Sequence, residues 1–393
     1  MTPPETLNRI MQSGVNKVFP AAVLSVVQNG QTLFNRAYGY LDPETRRRPT
    51  QPGDLFDLAS LTKLFTLTAF MTLVDAKKVS LQTPVADILP QFGGKRPVVA
   101  VADPLTKKPL PVDPEFAGQS VNANKITFWH LLTHTSGLPA WRGLYAIQPD
   151  APPIPAPAQI PPKKRAARIA AIYTRNTGFA CPPDAKFIYS DLGLILLGEA
   201  VSKLMEAPLD ACITRAILTP LNLPGAFNPL QNGFPAESIA PTEICAWRKR
   251  RCRGEAHDEN AAGLGGVAGH AGLFAPAKTV SALGQLFLNG GVYKGKRILS
   301  RQSVTLATRQ QVNFNGNPRG LGWQLRPLAG ASCGNRFSSA SFGHTGFTGT
   351  SLWVDPERQL VVTLLTNRVY YGRNPAGITR FRPRLHNALS TLQ

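Results

Sequence analysis

Phe56-Asp57-Leu58-Ala59-Ser60-Leu61-Thr62-Lys63 closes a short apolar-polar run and opens the first strong helical pattern of the chain, predicted over Leu61 to Ala76. On a helix, positions i and i+3 share a face, so the Lys63 ammonium reaches the Ser60 hydroxyl. A serine at a helix N-terminus also sits beside the positive end of the helix dipole, which favours negative charge developing on its oxygen or on a bound oxyanion. Serine is a poor nucleophile until a neighbouring base takes its proton, and a lysine whose pKa is lowered by burial or nearby cations serves as that base. Alone the spacing is weak, because about one such match arises by chance in a chain of this length. An N-cap serine followed by an exposed lysine is the structural alternative.

The flanks set this segment in an architecture. Ala22 to Val27 and Thr32 to Tyr38 are β-rich runs separated by Asn29-Gly30, a dipeptide suited to a tight hairpin turn. Near the other end, Thr350 to Val354 and Leu360 to Leu365 flank Asp355-Pro356-Glu357-Arg358, a second hairpin signal. Between them lie helical patterns at Ile126 to Leu132, Leu192 to Leu204 and Val280 to Leu288, and Pro-rich loops at 97 to 114 and 149 to 162. The economical arrangement is an antiparallel sheet built from both chain ends, with a mainly helical region inserted between them. No internal repeat is visible.

Two further elements raise the weight of Ser60 and Lys63. Tyr189-Ser190-Asp191 immediately precedes a helical run, and a phenol there can relay a proton between serine and leaving group. His344-Thr345-Gly346 precedes Phe347-Thr348-Gly349 and the C-terminal hairpin, where an edge strand can present backbone N–H to a substrate carbonyl. The three elements, in this order, match the S-x-x-K, S-D-N and K-T-G triplet of β-lactamases and penicillin-binding proteins.

The chain resembles the serine β-lactamase and penicillin-binding-protein family, in its class C-like branch, which also holds D-aminopeptidases and family VIII esterases. Beyond the triplet, the resemblance is carried by Ile126-Thr127-Phe128-Trp129-His130-Leu131-Leu132-Thr133-His134-Thr135-Ser136-Gly137-Leu138-Pro139, by Phe187-Ile188-Tyr189-Ser190-Asp191-Leu192-Gly193 and by Gly265-Gly266-Val267-Ala268-Gly269-His270-Ala271-Gly272-Leu273-Phe274. It implies an α/β (α+β) fold of the β-lactamase/transpeptidase type. Residues 1–58 and 265–393 would form the sheet subdomain and 59–264 a mainly helical one, with the active site in the cleft between them. It further implies that Ser60 attacks a substrate carbonyl to give an acyl-enzyme, that Lys63 and Tyr189 share the general-base and general-acid work, and that the N–H groups of Ser60 and Phe347 form the oxyanion hole. Asp191, His344, Thr345 and Gly346 would contact substrate, and neither metal nor cofactor is required.

Two positions depart from the family pattern. His344 stands where a lysine usually supplies fixed positive charge for a substrate carboxylate, and an imidazole titrating near pH 6.5 attracts a carboxylate weakly. This tilts the substrate toward esters, amides or molecules without a free carboxylate, unless an arginine such as Arg142 restores the charge. Asp191 replaces an asparagine. As an anion it only accepts hydrogen bonds, and beside Lys63 it favours the ammonium and shifts base duty to Tyr189. His130 and His134 sit four apart without a third ligand in sight, so packing or hydrogen bonding is expected of them rather than metal binding. The run His257-Asp258-Glu259-Asn260 either lines the pocket, binds a cation or braces a loop. Trp141 and Trp323 either line the cleft or pack in the core.

Composition excludes other classes. Apolar residues make up 43% of the 393, enough for a sizeable core. The net charge of +20 gathers at Arg46 to Arg48, Lys163 to Arg165, Arg248 to Arg253 and Arg380 to Arg384. With little aromatic interleaving and no nucleic-acid fold signature, these clusters are expected to be solvated surface, with polyanion binding as the other reading. Cys181, Cys212, Cys245, Cys252 and Cys333 fit neither a disulfide framework nor a zinc site and are expected as free thiols. No apolar run reaches the roughly 18 residues of a membrane span, and no signal peptide is visible, so a cytoplasmic location is expected, or a periplasmic or exported one if a signal peptide was removed. The expected partner is a small-molecule or peptide-like acyl substrate, with no specific nucleic acid. Three functions stay open: hydrolysis of esters, D-amino-acid peptides or β-lactams; acylation without efficient release, as in a penicillin-binding sensor; and polyanion binding.

Overall fold

Residues 3–173 and 177–389 are described by the computed structural model. Helix α1 (Pro3–Gly14) leads into strands β1 (Ala21–Gln28) and β2 (Gln31–Gly39). Asn29 and Gly30 join the two strands with φ of 51° and 75°, the left-handed pair that a two-residue hairpin demands. Helices α2 (Thr62–Asp75), α3 (Phe128–Thr133), α4 (Asp191–Met205) and α5 (Ala277–Leu288) follow. The chain then returns to the sheet as β3 (Val312–Phe314), β4 (Asn317–Arg319), β5 (Gln324–Leu325), β6 (Phe342–Thr345), β7 (Ser351–Asp355) and β8 (Leu360–Thr366), and ends in α6 (Ala376–Leu389).

These strands form one antiparallel sheet in the order β3-β4-β5-β6-β7-β8-β1-β2. Register pairs Ala22 with Thr366 and Val26 with Val362, so the N-terminal hairpin is closed by the C-terminal one. Both faces are covered, which explains the near-continuous apolar runs of β1 and β8. Val23, Val27, Val361 and Leu365 point to one side, into the main core shared with α5, α2 and α4. Ala22, Leu24, Val26, Val362 and Leu364 point to the other, where they meet Leu7 and Met11 of α1 and Ile378 and Phe381 of α6. Each buried Val, Leu, Ile, Met or Phe among them contributes about 1.5–3 kcal/mol.

The basic clusters depart from the solvated-surface expectation. Arg46 and Arg47 are exposed, but Arg248 and Arg382 are buried. Arg248 donates to the carbonyls of Ala256 (2.8 Å) and His257 (2.9 Å) and pairs with Glu255, which also holds Arg250 at 2.9 Å. Arg382 donates to the carbonyls of Gly346 (3.0 Å) and Thr350 (2.7 Å). Loops rich in proline and glycine leave carbonyls without ladder partners, and the five-donor guanidinium fills them. All five cysteines are buried free thiols. Among the described residues, no helix is long and apolar enough to cross a membrane.

The end of β6 is stapled to the segment before α2. Thr348 Oγ1 donates to the Asp57 carbonyl (2.8 Å) and Thr350 Oγ1 to the Leu58 carbonyl (3.0 Å). Gly346 makes this approach possible: a Cβ there would lie 2.0 Å from Thr350 Oγ1 and 2.6 Å from the Leu58 carbonyl oxygen. Gly346→Ala is therefore expected to destabilise the fold by about 1–3 kcal/mol, read as a lowered urea midpoint. An unchanged midpoint would show that the two segments are free to part.

Candidate active site

Ser60 lies on a 3-10 turn, Ala59–Leu61, that feeds α2, so the helix proper starts two residues after the serine and Ser60 makes no N-cap bond. Ala59 carries a positive φ of 47°, a strained conformation for a side chain with a Cβ. The turn is held by buried Asp57, whose Oδ1 accepts from Ala59 N–H (2.8 Å) and whose Oδ2 accepts from His257 N–H (2.6 Å). Burial pushes the Asp57 carboxyl up, against those two N–H donors.

Lys63 is 1% exposed, and its ammonium has three close partners. Nζ donates to Ser60 Oγ at 2.8 Å and to the His270 carbonyl at 3.2 Å, and it pairs with Asp191 Oδ1 at 2.8 Å. Burial by itself would lower its pKa, but the Asp191 carboxylate and Tyr189 outweigh that and raise it above the ordinary lysine value. Lys63 is thus a buried cation whose ammonium form the neighbouring Asp191 carboxylate favours.

Tyr189 lies over this cation, with its ring centroid 4.9 Å from Lys63 Nζ. It packs against two imidazoles, His134 at 4.7 Å and His344 at 6.0 Å between centroids. Ser190 N–H donates to His134 Nδ1 (3.1 Å), and Ser190 Oγ donates to the Pro139 carbonyl (2.7 Å), so the Tyr189-Ser190-Asp191 segment is fixed at the mouth of α4. His344 Nδ1 lies 2.9 Å from the Thr345 carbonyl, which only accepts. That nitrogen therefore carries the proton, and Nε2 is left as an acceptor. Burial, then the charges of Lys63 and Arg319, push His344 down to about 3, so it is neutral at physiological pH. Burial likewise lowers His134 well below its ordinary value.

The Arg142 guanidinium donates to the Thr177 hydroxyl, whereas the cations that bear most on His344 are Lys63 and Arg319. Arg319 lies 4.6 Å from the Phe187 ring and close enough to His344 and Tyr189 to interact with both. The His257-Asp258-Glu259-Asn260 run is a brace. His257 Nε2 meets Glu243 at 3.1 Å, and its ring stacks on Phe347 at 5.5 Å. Asp258 caps the following helical turn through Ala261 N–H (2.7 Å) and accepts from His270 Nε2 (2.8 Å). Asn260 Oδ1 accepts from Leu144 N–H at 2.8 Å. His130 caps α3 through Thr127 N–H (3.0 Å) and meets Asp184. Trp323 is core, packed against Phe287 and Phe342, whereas Trp141 is half-exposed.

Asp191, Asp258 and His270 bring three ligand-type atoms within 4.8 Å of one another. The positive charge they surround is Lys63 itself, and His270 Nε2 is spent on Asp258. The cluster can hold charge on the serine side of the cleft without a further ion.

Residues 7–382 match the beta-lactamase family model. The chain belongs to the beta-lactamase family. It is 31% identical over 385 residues to a Bacillus subtilis (strain 168) protein named N-acetylmuramyl-L-alanine amidase, covering 92% of this chain and 80% of that one. It is 28% identical over 387 residues to an Escherichia coli (strain K12) protein named "Putative D-alanyl-D-alanine carboxypeptidase", covering 92% and 81%. Among solved structures it is similar to EstCE1, a hydrolase with promiscuous acyltransferase activity (TM-score 0.69, 18% identity, 97% and 98% covered), a likeness of fold. The protein is a hydrolase of this superfamily. Asp57, His270 and Arg319 went unassigned from sequence. The first two lie inside the family-like stretches, whereas Arg319 carries no local signal.

A pH dependence follows for this family member. In the unfolded chain histidines titrate near 6.5, whereas burial holds His344 at about 3 and His386 at about 4. Below pH 6.5 the unfolded state takes up protons that the folded state refuses, so stability is full above that pH and declines as pH falls toward 4. The urea midpoint is expected to drop between pH 7.5 and 5.0, and an unchanged midpoint would contradict two neutral buried imidazoles.

Proposed function

We propose that Ser60 is the nucleophile of an acyl-enzyme mechanism acting on an amide bond, with the muramyl–L-alanine type of linkage as the favoured substrate. The observation that carries this reading is the 2.8 Å contact of Ser60 Oγ with a lysine that Asp191 keeps charged. Because the lysine donates, the Ser60 proton passes to the Tyr189 oxygen, which takes it up as a phenolate whose charge the neighbouring cations Lys63 and Arg319 offset. Ser60 Oγ then bonds to the substrate carbonyl carbon, and the carbonyl oxygen becomes an oxyanion facing the N–H groups of Ser60 and Phe347. Tyr189 returns the proton to the leaving amine as the C–N bond breaks, and water repeats the sequence to free the acid and Ser60.

The neutral His344 supports an amide over a C-terminal carboxylate. Its unprotonated Nε2 accepts a hydrogen bond from a substrate N–H or O–H and offers no charge to an anion. Thr345, the last residue of β6, and Gly346, the first after it, follow it in the chain. The name of the Bacillus relative supports the muramyl amide, and that of the Escherichia relative supports a D-alanyl peptide, for which Arg319 is the available cation. A fluorophosphonate probe and a fluorescent penicillin, each followed by mapping of the labelled residue, separate these ideas. Label at Ser60 is expected, and its absence with both reagents removes the mechanism. Tyr189→Phe should lower turnover of a muramyl amide at least 100-fold, about the general-base range, and a near-wild-type rate removes Tyr189 from the proton path.

A further inference from the structure

A row of aromatic side chains beside the active-site segments remains partly open to solvent. Trp141, Tyr145 and Trp247 come from two separate segments, yet their rings run in sequence, with centroids 6.5 Å apart for Trp141–Tyr145 and 4.9 Å for Tyr145–Trp247. All three are half-exposed, in contrast to the fully buried Trp323 and Trp353. Lys107 reaches in from the Pro-rich loop, its Nζ 3.4 Å from the Trp141 ring centroid. Arg373 and Glu259 form an ion pair, and Tyr145 feels both charges.

This row is tied to the catalytic side chains. Asp191 N–H donates to the carbonyl of Ala140, the residue before Trp141, at 3.0 Å. Tyr145 N–H donates to Asn260 Oδ1 at 3.2 Å, and Asn260 Nδ2 donates to the Arg142 carbonyl at 2.8 Å. Asn260 is itself two residues beyond Asp258, which holds His270 over Lys63. Burial lowers the Lys107 pKa, and the carboxylates of Glu259, Asp258 and Asp191 oppose that shift. The loop lysine thus lies within electrostatic reach of the active-site acids.

Resting on the muramyl amide reading above, we propose that Trp141, Tyr145 and Trp247 form a saccharide subsite that seats the amino-sugar ring of the acyl donor. The apolar C–H face of a pyranose stacks on aromatic rings, and its hydroxyl and acetamido groups need donors and acceptors at the rim, which Lys107, Arg373 and Glu259 provide. A row fixed through Ala140 and Asn260 is preorganised, so little ordering cost is met on binding. A sugar held here leaves its acid side chain pointing toward Ser60, and selectivity for a sugar-bearing amide over a bare peptide resides in this row.

The test uses Ser60→Ala protein and isothermal titration with N-acetylmuramyl-L-alanyl-D-isoglutamine, alongside the same peptide without sugar. The sugar-bearing ligand should bind at least tenfold more tightly than the peptide, and Trp247→Ala and Trp141→Ala should each remove most of that difference. Trp247→Phe, which keeps an aromatic face, should retain it. In the Ser60 enzyme, Trp247→Ala should lower kcat/KM for the muramyl peptide at least tenfold more than for p-nitrophenyl acetate, mainly through KM. Equal binding of the two ligands, or binding unmoved by either alanine variant, overturns the subsite. If Ser60 is also labelled and ester turnover persists, the hydrolase reading survives that failure. If Ser60 is not labelled, the reading falls, while the titration still decides whether the row binds sugar.

Discussion

Removing an ammonium from water costs several kcal/mol unless charge and hydrogen bonds replace the lost solvation. Lys63 obtains that replacement from Asp191, the His270 carbonyl and Ser60 Oγ. Each partner arrives from a different part of the chain, and each is fixed by a further layer. Asp191 is anchored by its N–H to Ala140, His270 by Asp258, and the Ser60 turn by Asp57. The site is therefore a consequence of satisfying one buried charge, and the fold is the device that brings the partners together.

The sheet contributes less through its strands than through what its edge carries. β6 is followed by Gly346, and the close approach of that glycine to Leu58 sets the β6–β7 turn against the Ser60 segment. Buried Arg382 holds the same turn from behind, through the Gly346 and Thr350 carbonyls. His257 stacks on Phe347 while its own N–H completes Asp57. Helical region and sheet thus meet through hydrogen bonds to loop carbonyls rather than through apolar packing alone. This explains why so many arginines are needed inside a basic protein.

Much of this was legible in the sequence wherever the signal is local. Asn29-Gly30 specifies a turn by its φ preference, the i, i+3 spacing specifies Ser60 against Lys63, and Asp191 beside a lysine implies a protonated lysine. The neutrality of His344 followed from its ordinary pKa, and burial only strengthened it. What stayed hidden depends on distant segments. Asp57 serves His257 across 200 positions, and Arg319, whose charge bears on His344, lies outside the motifs in sequence. Burial of Arg248 and Arg382 was invisible because composition counts charges without locating the loop carbonyls that absorb them.

The central claim is the charge state of Lys63: it organises the site as a cation, and the proton of Ser60 travels by Tyr189. The direct measurement is the Nζ resonance of Lys63 in 15N-lysine-labelled protein, assigned by its loss in Lys63→Ala and followed with pH. A signal that stays in the ammonium range from pH 6 to beyond pH 9 is the predicted result. A neutral amine signal at pH 7 would contradict it and return the base role to lysine.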